Sequence, residues 1–291
     1  MRVFVTGATG FIGAALVPEL IGAGHQVLGL TRSEAGAKAL AAAGAEVHHG
    51  SLEDLDSLKR GAAAADAVIH LAFIHDFSKF EENCEIDRRA IEALGSVLKG
   101  SDQPLIVTGG TGLLAPGRLA TEDDKPAGHF PRLSEAVASA LAAAGVNASV
   151  VRLPQVHDTA KQGLVTYAIS VFREKGVCAY VGDGHQRWPA AHVVDVARLY
   201  RLAIEKAEKG AIYHAVAEEG VPAVDIVNAL GPRLQLPVKS ITPDEAQAFF
   251  GWLAMFTTLD LPASSEQTKK KLGWQPTHRG LIADLEELQV G

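Results

Sequence analysis

Cysteine is nearly absent from the 291-residue chain, which has only Cys84 and Cys178. The two lie far apart and outside any metal-ligand spacing, so a disulfide framework and a zinc knuckle are both excluded, no metal is expected, and a reducing compartment fits best. Positive charge is also in deficit: 27 basic against 34 acidic side chains give a net charge of −7, the wrong balance for a nucleic-acid-binding surface. No apolar run reaches the roughly 18 residues needed to span a bilayer, and the N-terminus enters a strand pattern without a charged leader or cleavage site. Internal repeats, low-complexity tracts and obvious linkers are missing too. These absences predict a mature cytoplasmic protein with neither a membrane nor a nucleic-acid partner. The 47% hydrophobic content provides ample core, and at roughly 150 residues per domain the length fits one large or two modest domains.

Val3-Phe4-Val5 is a short strand pattern that runs into TGATGFIG (Thr6 to Gly13), after which Phe11, Ala15, Leu16, Leu20 and Ile21 recur at helical spacing. Further strand patterns at Gln26 to Leu30, Ala45 to His49, Ala67 to Leu71 and Leu105 to Thr108 alternate with helical segments at Ala35 to Ala43, Leu52 to Ala63 and Glu85 to Leu98. Such alternation predicts parallel strands joined by right-handed crossovers, hence a Rossmann-type doubly wound α/β sheet with its ligand crevice at the carboxyl ends of the strands. Within the glycine turn, Gly7 permits a tight exit from the strand, Gly10 leaves room for a pyrophosphate, and Gly13 lets helix and sheet approach closely. The helix N-terminus then faces the phosphates, which makes Gly7, Thr9, Gly10, Phe11 and Ile12 candidate cofactor contacts. At the end of the second strand pattern, Leu28 to Ser33 lacks the acid that accepts hydrogen bonds from an NAD ribose and offers Arg32 instead. That favours a 2′-phosphate, so NADP(H) is expected over NAD(H).

With these features the chain resembles the extended short-chain dehydrogenase/reductase family, which includes nucleotide-sugar epimerases, dehydratases and dihydroflavonol-type reductases. Besides the glycine turn, the resemblance rests on His70-Leu71-Ala72, on Val151-Arg152-Leu153-Pro154, on GDGHQRWPAAHVVDVARLY (Gly182 to Tyr200), and on Ser264-Ser265 and Leu272-Gly273-Trp274-Gln275-Pro276. It implies cofactor contacts at Leu71, Ala72, Thr108, Leu153 and Pro154. Where the family usually has Gly-Asp-Leu near the adenine, this chain has Gly50-Ser51-Leu52; Ser51 and Leu52 are the matching candidates.

The family's proton chemistry rests on a Tyr-x-x-x-Lys pair, in which the lysine lowers the tyrosine pKa by its charge. The four tyrosines here, Tyr167, Tyr180, Tyr200 and Tyr213, are followed four residues on by Val171, Gly184, Ile204 and Ala217. Aligning His129 to Val146 with the family's helix puts Pro131 in place of the tyrosine and Glu135 in place of the lysine. Thr111 falls near the hydroxyl position that hydrogen-bonds a substrate carbonyl, although a hydroxyl in a glycine loop equally serves as a turn cap. This pattern resembles the atypical branch of the family, which keeps the cofactor fold without the standard pair. Imidazoles titrate near neutrality and can replace a proton donor; His129 and His157 are the candidates by position, alongside Thr111. Arg132 and Glu135 read as a surface ion pair at i, i+3.

After Pro154 the periodicity mixes, predicting a smaller C-terminal α/β substrate lobe over residues 155–291, interlocked with a cofactor domain over residues 1–154. Helices are expected at Leu164 to Lys175, Val193 to Glu208, Val224 to Leu230 and Pro243 to Phe250, and strands at Cys178 to Val181 and Ala211 to His214. Tyr167 and Trp188 are candidate substrate contacts, with a core role the alternative for Trp188. The patch Phe249, Phe250, Trp252, Leu253, Met255 and Phe256 faces lobe core, substrate or a second copy of the chain, which makes a homodimer a candidate assembly. Three functions compete: an NADPH-dependent reductase of a small carbonyl or related unsaturated substrate, a nucleotide-sugar epimerase or dehydratase, and an NADP-binding regulator without turnover.

Overall fold

The computed structural model describes residues 1–126 and 131–289. Their backbone packs into two compact units. The first comprises Met1–Gly109, 131–152 and Val196–Tyr213; the second comprises 110–126, Leu153–Asp195 and 214–289. Segments of the two alternate along the chain, whereas the sequence pattern sets a single boundary after Pro154.

In the first unit the apolar runs become β1 (Arg2–Thr6), β2 (Gln26–Thr31), β3 (Glu46–His49), β4 (Ala67–His70), β5 (Pro104–Gly110) and β6 (Asn147–Leu153). With the short strand Ile212–His214 they form a seven-stranded sheet in the order Ile212–His214, β6, β5, β4, β1, β2, β3. The β1–β2, β1–β4, β2–β3 and β4–β5 pairs are all parallel. Helices α1 (Phe11–Gly22), α2 (Glu34–Ala42), α3 (Leu55–Ala63), α4 (Phe80–Leu98) and α5 (Ser134–Ala143) supply the crossovers. Because helices cover both faces, the central strands are apolar throughout rather than alternating: Val3, Phe4, Val5, Val68 and Ile69 are fully buried. Strand order reverses between β1 and β4, which fixes the switch point of a doubly wound sheet beside the glycine turn. The expected fold class is therefore the observed one.

The second unit has a three-stranded sheet in which Arg187–His192 pairs parallel with Gln155–His157 and antiparallel with Glu218–Pro222. A second, parallel pair joins Cys178–Val181 to Val238–Ile241. Helices Gly163–Lys175, Ala223–Leu234, Pro243–Phe250 and Leu281–Glu286 surround a core that includes Phe172, Trp188, Leu230, Phe250 and Leu285. The aromatic patch divides by depth: Phe250 and Leu253 are core, while Trp252 and Met255 are exposed. No helix of the described residues is long and apolar enough to cross a membrane.

Helix α1 lies so close to the β1 exit that a Cβ on Gly13 would stand 2.2 Å from the Gly7 carbonyl oxygen and 2.7 Å from Ala8 backbone carbon. At the far end of the same helix, a Cβ on Gly22 would meet nothing within 4 Å. Gly22→Ala should therefore stabilise the protein by about 0.5–1 kcal/mol through the lower entropy of its unfolded chain. Gly13→Ala should instead cost about 1–3 kcal/mol, because overpacking against fixed backbone outweighs that gain. Urea unfolding of the two variants checks both signs; a stabilised Gly13→Ala protein would contradict the close approach.

Candidate functional site

Every candidate in the glycine-turn region follows the carboxyl end of a strand, so parallel pairing gathers them along one edge of the sheet. Gly7 leaves β1 at φ +69°, and a Cβ there would stand 2.8 Å from the Ala72 nitrogen. This brings the turn against the exit of β4, where Ala72 N–H also donates to Thr6 Oγ1 at 3.3 Å. The turn closes through Gly10 N–H donating to the Gly7 carbonyl at 2.9 Å. Gly10 caps α1 without any side-chain cap, and no acidic residue occupies the first helical turn. A helix end of this kind carries partial positive charge and accepts phosphate. Thr9 and Gly10 are exposed, and Phe11, Ile12 and Leu71 are half-buried.

Arg32 follows β2, is exposed, and forms no hydrogen bond or ion pair among the described residues. Its neighbour Ser33 caps α2 by accepting from Gly36 N–H at 3.1 Å. Ser51 Oγ accepts from the backbone N–H groups of Glu53 and Asp54, both at 3.3 Å, so it shapes the turn into α3. Leu52 is buried in the core of the first unit.

A buried polar chain runs beneath the ends of β1, β4 and β5. His70 joins Thr6 Oγ1 through Nδ1 at 2.8 Å and Asp87 Oδ1 through Nε2 at 3.1 Å. Ser134 Oγ donates to the other carboxylate oxygen of Asp87 at 2.5 Å and accepts from Arg132 Nε at 3.0 Å. Arg132 Nη2 in turn donates to the Thr108 carbonyl at 3.2 Å. The Thr108 hydroxyl donates to the His70 carbonyl at 2.7 Å and stands 2.8 Å from the Tyr200 hydroxyl. Burial pushes the Asp87 carboxyl up, but His70 through its hydrogen bond and charge, with Arg132 and Ser134, outweighs that and holds it below the ordinary range. Burial drives the Tyr200 phenol far above its usual value.

This arrangement corrects one expectation. Arg132 and Glu135 do not pair: Glu135 takes a two-point bond from Arg152, whose Nε and Nη2 lie at 2.8 and 2.6 Å. A guanidinium only 1% exposed on β6 demands a carboxylate, and α5 presents Glu135 to it. Pro131 is exposed and supplies no phenol. Tyr200 and Arg132, which sequence spacing passed over, are the polar groups gathered at Thr108. The sequence clue to Tyr200 was its place at the end of the Gly182 to Tyr200 stretch. His129 lies outside the described residues.

In the second unit Thr111 donates its hydroxyl to the Leu153 carbonyl at 3.2 Å and its N–H to the same oxygen at 3.0 Å, the geometry of a turn cap. Leu153 ends β6 and is half-buried with Pro154. Tyr167 is half-buried with its ring 5.5 Å from that of Trp252. Trp188 is buried and donates from Nε1 to the Phe256 carbonyl at 3.0 Å, a core anchorage. His157 has no exposed surface; its Nδ1 lies 2.6 Å from Asp284 Oδ2, and register with His192 sets the two imidazoles edge to face at 5.7 Å. A ring enclosed in this way has no surface from which to hand a proton to substrate, so the structure gives it a framing role in place of the expected donor role. His192 stacks on His278 at 4.8 Å, and the Trp274 turn docks on Asp195 through Trp274 Nε1 and the backbone N–H groups of Thr277 and His278. Among the described residues no cluster is suited to a metal ion.

Asp87 accepts bonds from both sides of a buried chain, so Asp87→Asn should destabilise the protein by about 1–3 kcal/mol at neutral pH. Its folded pKa is depressed below the ordinary 3.8. The carboxylate's contribution is therefore complete above that value and lost as pH falls through the lower folded pKa. Urea midpoints of native and Asp87→Asn protein should stay apart at neutral pH and converge only below 3.8; a gap that closes near neutrality would show that some other group is responsible.

Known proteins align with this arrangement over nearly its full length. The family model of the NAD dependent epimerase/dehydratase family matches residues 3–97 and 132–217. A Schizosaccharomyces pombe protein named Uncharacterized protein C2A9.02 is 49% identical over 289 residues, covering 98% of each chain. Among solved structures, dTDP-glucose 4,6-dehydratase DesIV from Streptomyces venezuelae with NAD bound superposes with a TM-score of 0.77 at 18% identity, over 99% of this chain and 96% of that one. Human epimerase family protein SDR39U1 with NADPH superposes at 0.73 and 22% identity, over 99% of both chains. The matched residues take in the glycine turn at the switch point of the doubly wound sheet, and the chain belongs to the NAD-dependent epimerase/dehydratase family.

Proposed function

We propose that the protein is an NADP(H)-dependent reductase of a small carbonyl compound that works without a tyrosine–lysine pair. The observation that carries the reading is Arg32: an exposed guanidinium with no protein partner among the described residues, placed just after β2 where an acid would select an unphosphorylated ribose. The glycine turn fits a dinucleotide, since Gly7 makes the tight exit from β1, Gly10 carries no side chain where a pyrophosphate would approach, and α1 begins without a side-chain cap. The NADPH in the human SDR39U1 structure supports the choice of cofactor, and the NAD in DesIV supports the rival one.

When bound, NADPH supplies the hydride. The chain's own work is to hold the phosphates at Gly7, Thr9, Gly10, Phe11 and Ile12, to pair Arg32 with the 2′-phosphate, and to line the cofactor with Ser51, Leu52, Leu71, Ala72, Thr108, Leu153 and Pro154. Tyr167 borders the substrate, with Trp188 in the core behind it. Thr111 hydrogen-bonds the carbonyl oxygen, its hydroxyl exchanging the Leu153 carbonyl for the substrate. With Pro131 and Glu135 in the positions of the pair, the proton comes from water or from His129, with Thr111 orienting the carbonyl oxygen that receives it. General acid help contributes about 10²–10⁴-fold, so the absence of a dedicated phenol lowers the rate without abolishing it. Epimerase and dehydratase chemistry leans on the missing tyrosine and lysine and is therefore the weaker reading.

Calorimetric titration should show NADPH binding more tightly than NADH. A charge-assisted contact contributes about 1.5–3 kcal/mol, so Arg32→Glu should weaken NADPH about 10- to 100-fold and reverse the preference. Gly10→Val should abolish binding of both while the protein stays folded. Equal affinity of the native protein for both cofactors would overturn the assignment, and tight NADPH binding without oxidation across a carbonyl panel would leave a regulatory binder instead.

A further inference from the structure

Within the first unit a half-buried cation has no counter-ion among the described residues. Arg132 is half-buried beside the ends of β4 and β5, with its guanidinium carbon 4.3 Å above the centre of the Phe73 ring. Its hydrogen bonds go to neutral acceptors, the Ser134 hydroxyl and the Thr108 carbonyl. No carboxylate lies within ion-pair distance of it among the described residues, and Nη1 keeps its N–H groups unpaired. Asp87, the nearest acid along the hydrogen-bonded chain, reaches it only through Ser134 and is itself shared with His70. The contrast is Arg152, whose guanidinium meets Glu135 at two points.

Removing a guanidinium partly from water while denying it an anion is unfavourable, and fixing it with a ring face and two acceptors removes its freedom to find one. Such a group is preorganised for an oxyanion that arrives from outside, which a planar fork with free N–H groups holds at two points. Its place at the carboxyl ends of the strands is where ligands of this sheet bind.

We propose that Arg132 recognises an anionic group of the substrate, a carboxylate or a phosphate, with Phe73 and Ser134 as its positioning residues. On the function proposed above, from which this follows, the substrate is then an oxo acid or a phosphorylated carbonyl compound rather than a neutral ketone. The same chemistry could be met by the cofactor's own phosphates, and the experiment separates the two sources.

Calorimetry on the native protein, Arg132→Gln, Arg132→Lys and Phe73→Leu would use oxalate, inorganic phosphate and the neutral oxamide as probes, with and without NADPH, after thermal melts confirm folding. Native protein should bind oxalate or phosphate but not oxamide. Losing a bidentate charge-assisted contact should weaken the anion at least ~10-fold in Arg132→Gln. Arg132→Lys, which keeps the charge and loses the fork, and Phe73→Leu, which keeps the arginine and loses its support, should both fall between. NADPH affinity should be unchanged in all three variants. Failure of the native protein to bind either anion, or equal anion binding by Arg132→Gln, overturns the proposal, as does a fall in NADPH affinity with no effect on the anions, which assigns Arg132 to the cofactor. If the native protein takes the anion and ignores NADPH, the cofactor reading fails and the anion site stands.

Discussion

The carboxylate of Asp87 is the point on which the first unit turns. Three parallel strands end side by side, and their polar termini sit in a region too enclosed for water to satisfy them. Asp87, carried on α4, resolves this by holding His70 on one oxygen and Ser134 on the other. Through His70 it reaches Thr6 at the end of β1, and through Ser134 it reaches Arg132 and the Thr108 carbonyl on β5. The glycine turn therefore rests on a floor of hydrogen-bonded polar groups, which ties β1 to β4 where Gly7 faces Ala72.

Charge placement on either side of that floor follows a different logic. Arg152 and Glu135 are enclosed together and neutralise each other, so the residue in the family's lysine position serves the scaffold. Arg132 and Arg32 are left with their charge unspent, one half-buried against Phe73 and one exposed after β2. Arg132, partly removed from water, is costly to keep unless a ligand completes it, whereas water solvates Arg32 until a ligand arrives. In the second unit the buried charges are balanced internally: Asp284 meets His157 and Arg279, and Asp195 meets His278 and the Trp274 turn.

Local sequence determined most of the framework. Apolar runs separated by helical periods specified the doubly wound sheet, and TGATGFIG specified a turn whose steric demand at Gly13 is met within the same stretch, by Gly7 and Ala8. The absence of an acid after β2 and of any tyrosine with a lysine four residues on are also properties of the linear chain, and they bear directly on cofactor and proton chemistry.

Tertiary structure decided the partners of the side chains. An i, i+3 spacing suggests that Arg132 pairs with Glu135, yet Arg132 precedes α5 and Glu135 goes to a distant partner, because Arg152, fully enclosed on β6, loses more without a carboxylate than Arg132 does at a half-buried position. Tyr200 meets Thr108 across 92 positions of chain, and His157 meets Asp284 across 127; no periodic pattern can register pairings at such distances. His157 and Trp188 looked available in sequence because their residue types suit chemistry or substrate contact. Burial, a property of the packed unit and not of the residue, made one a frame for Asp284 and the other part of the core.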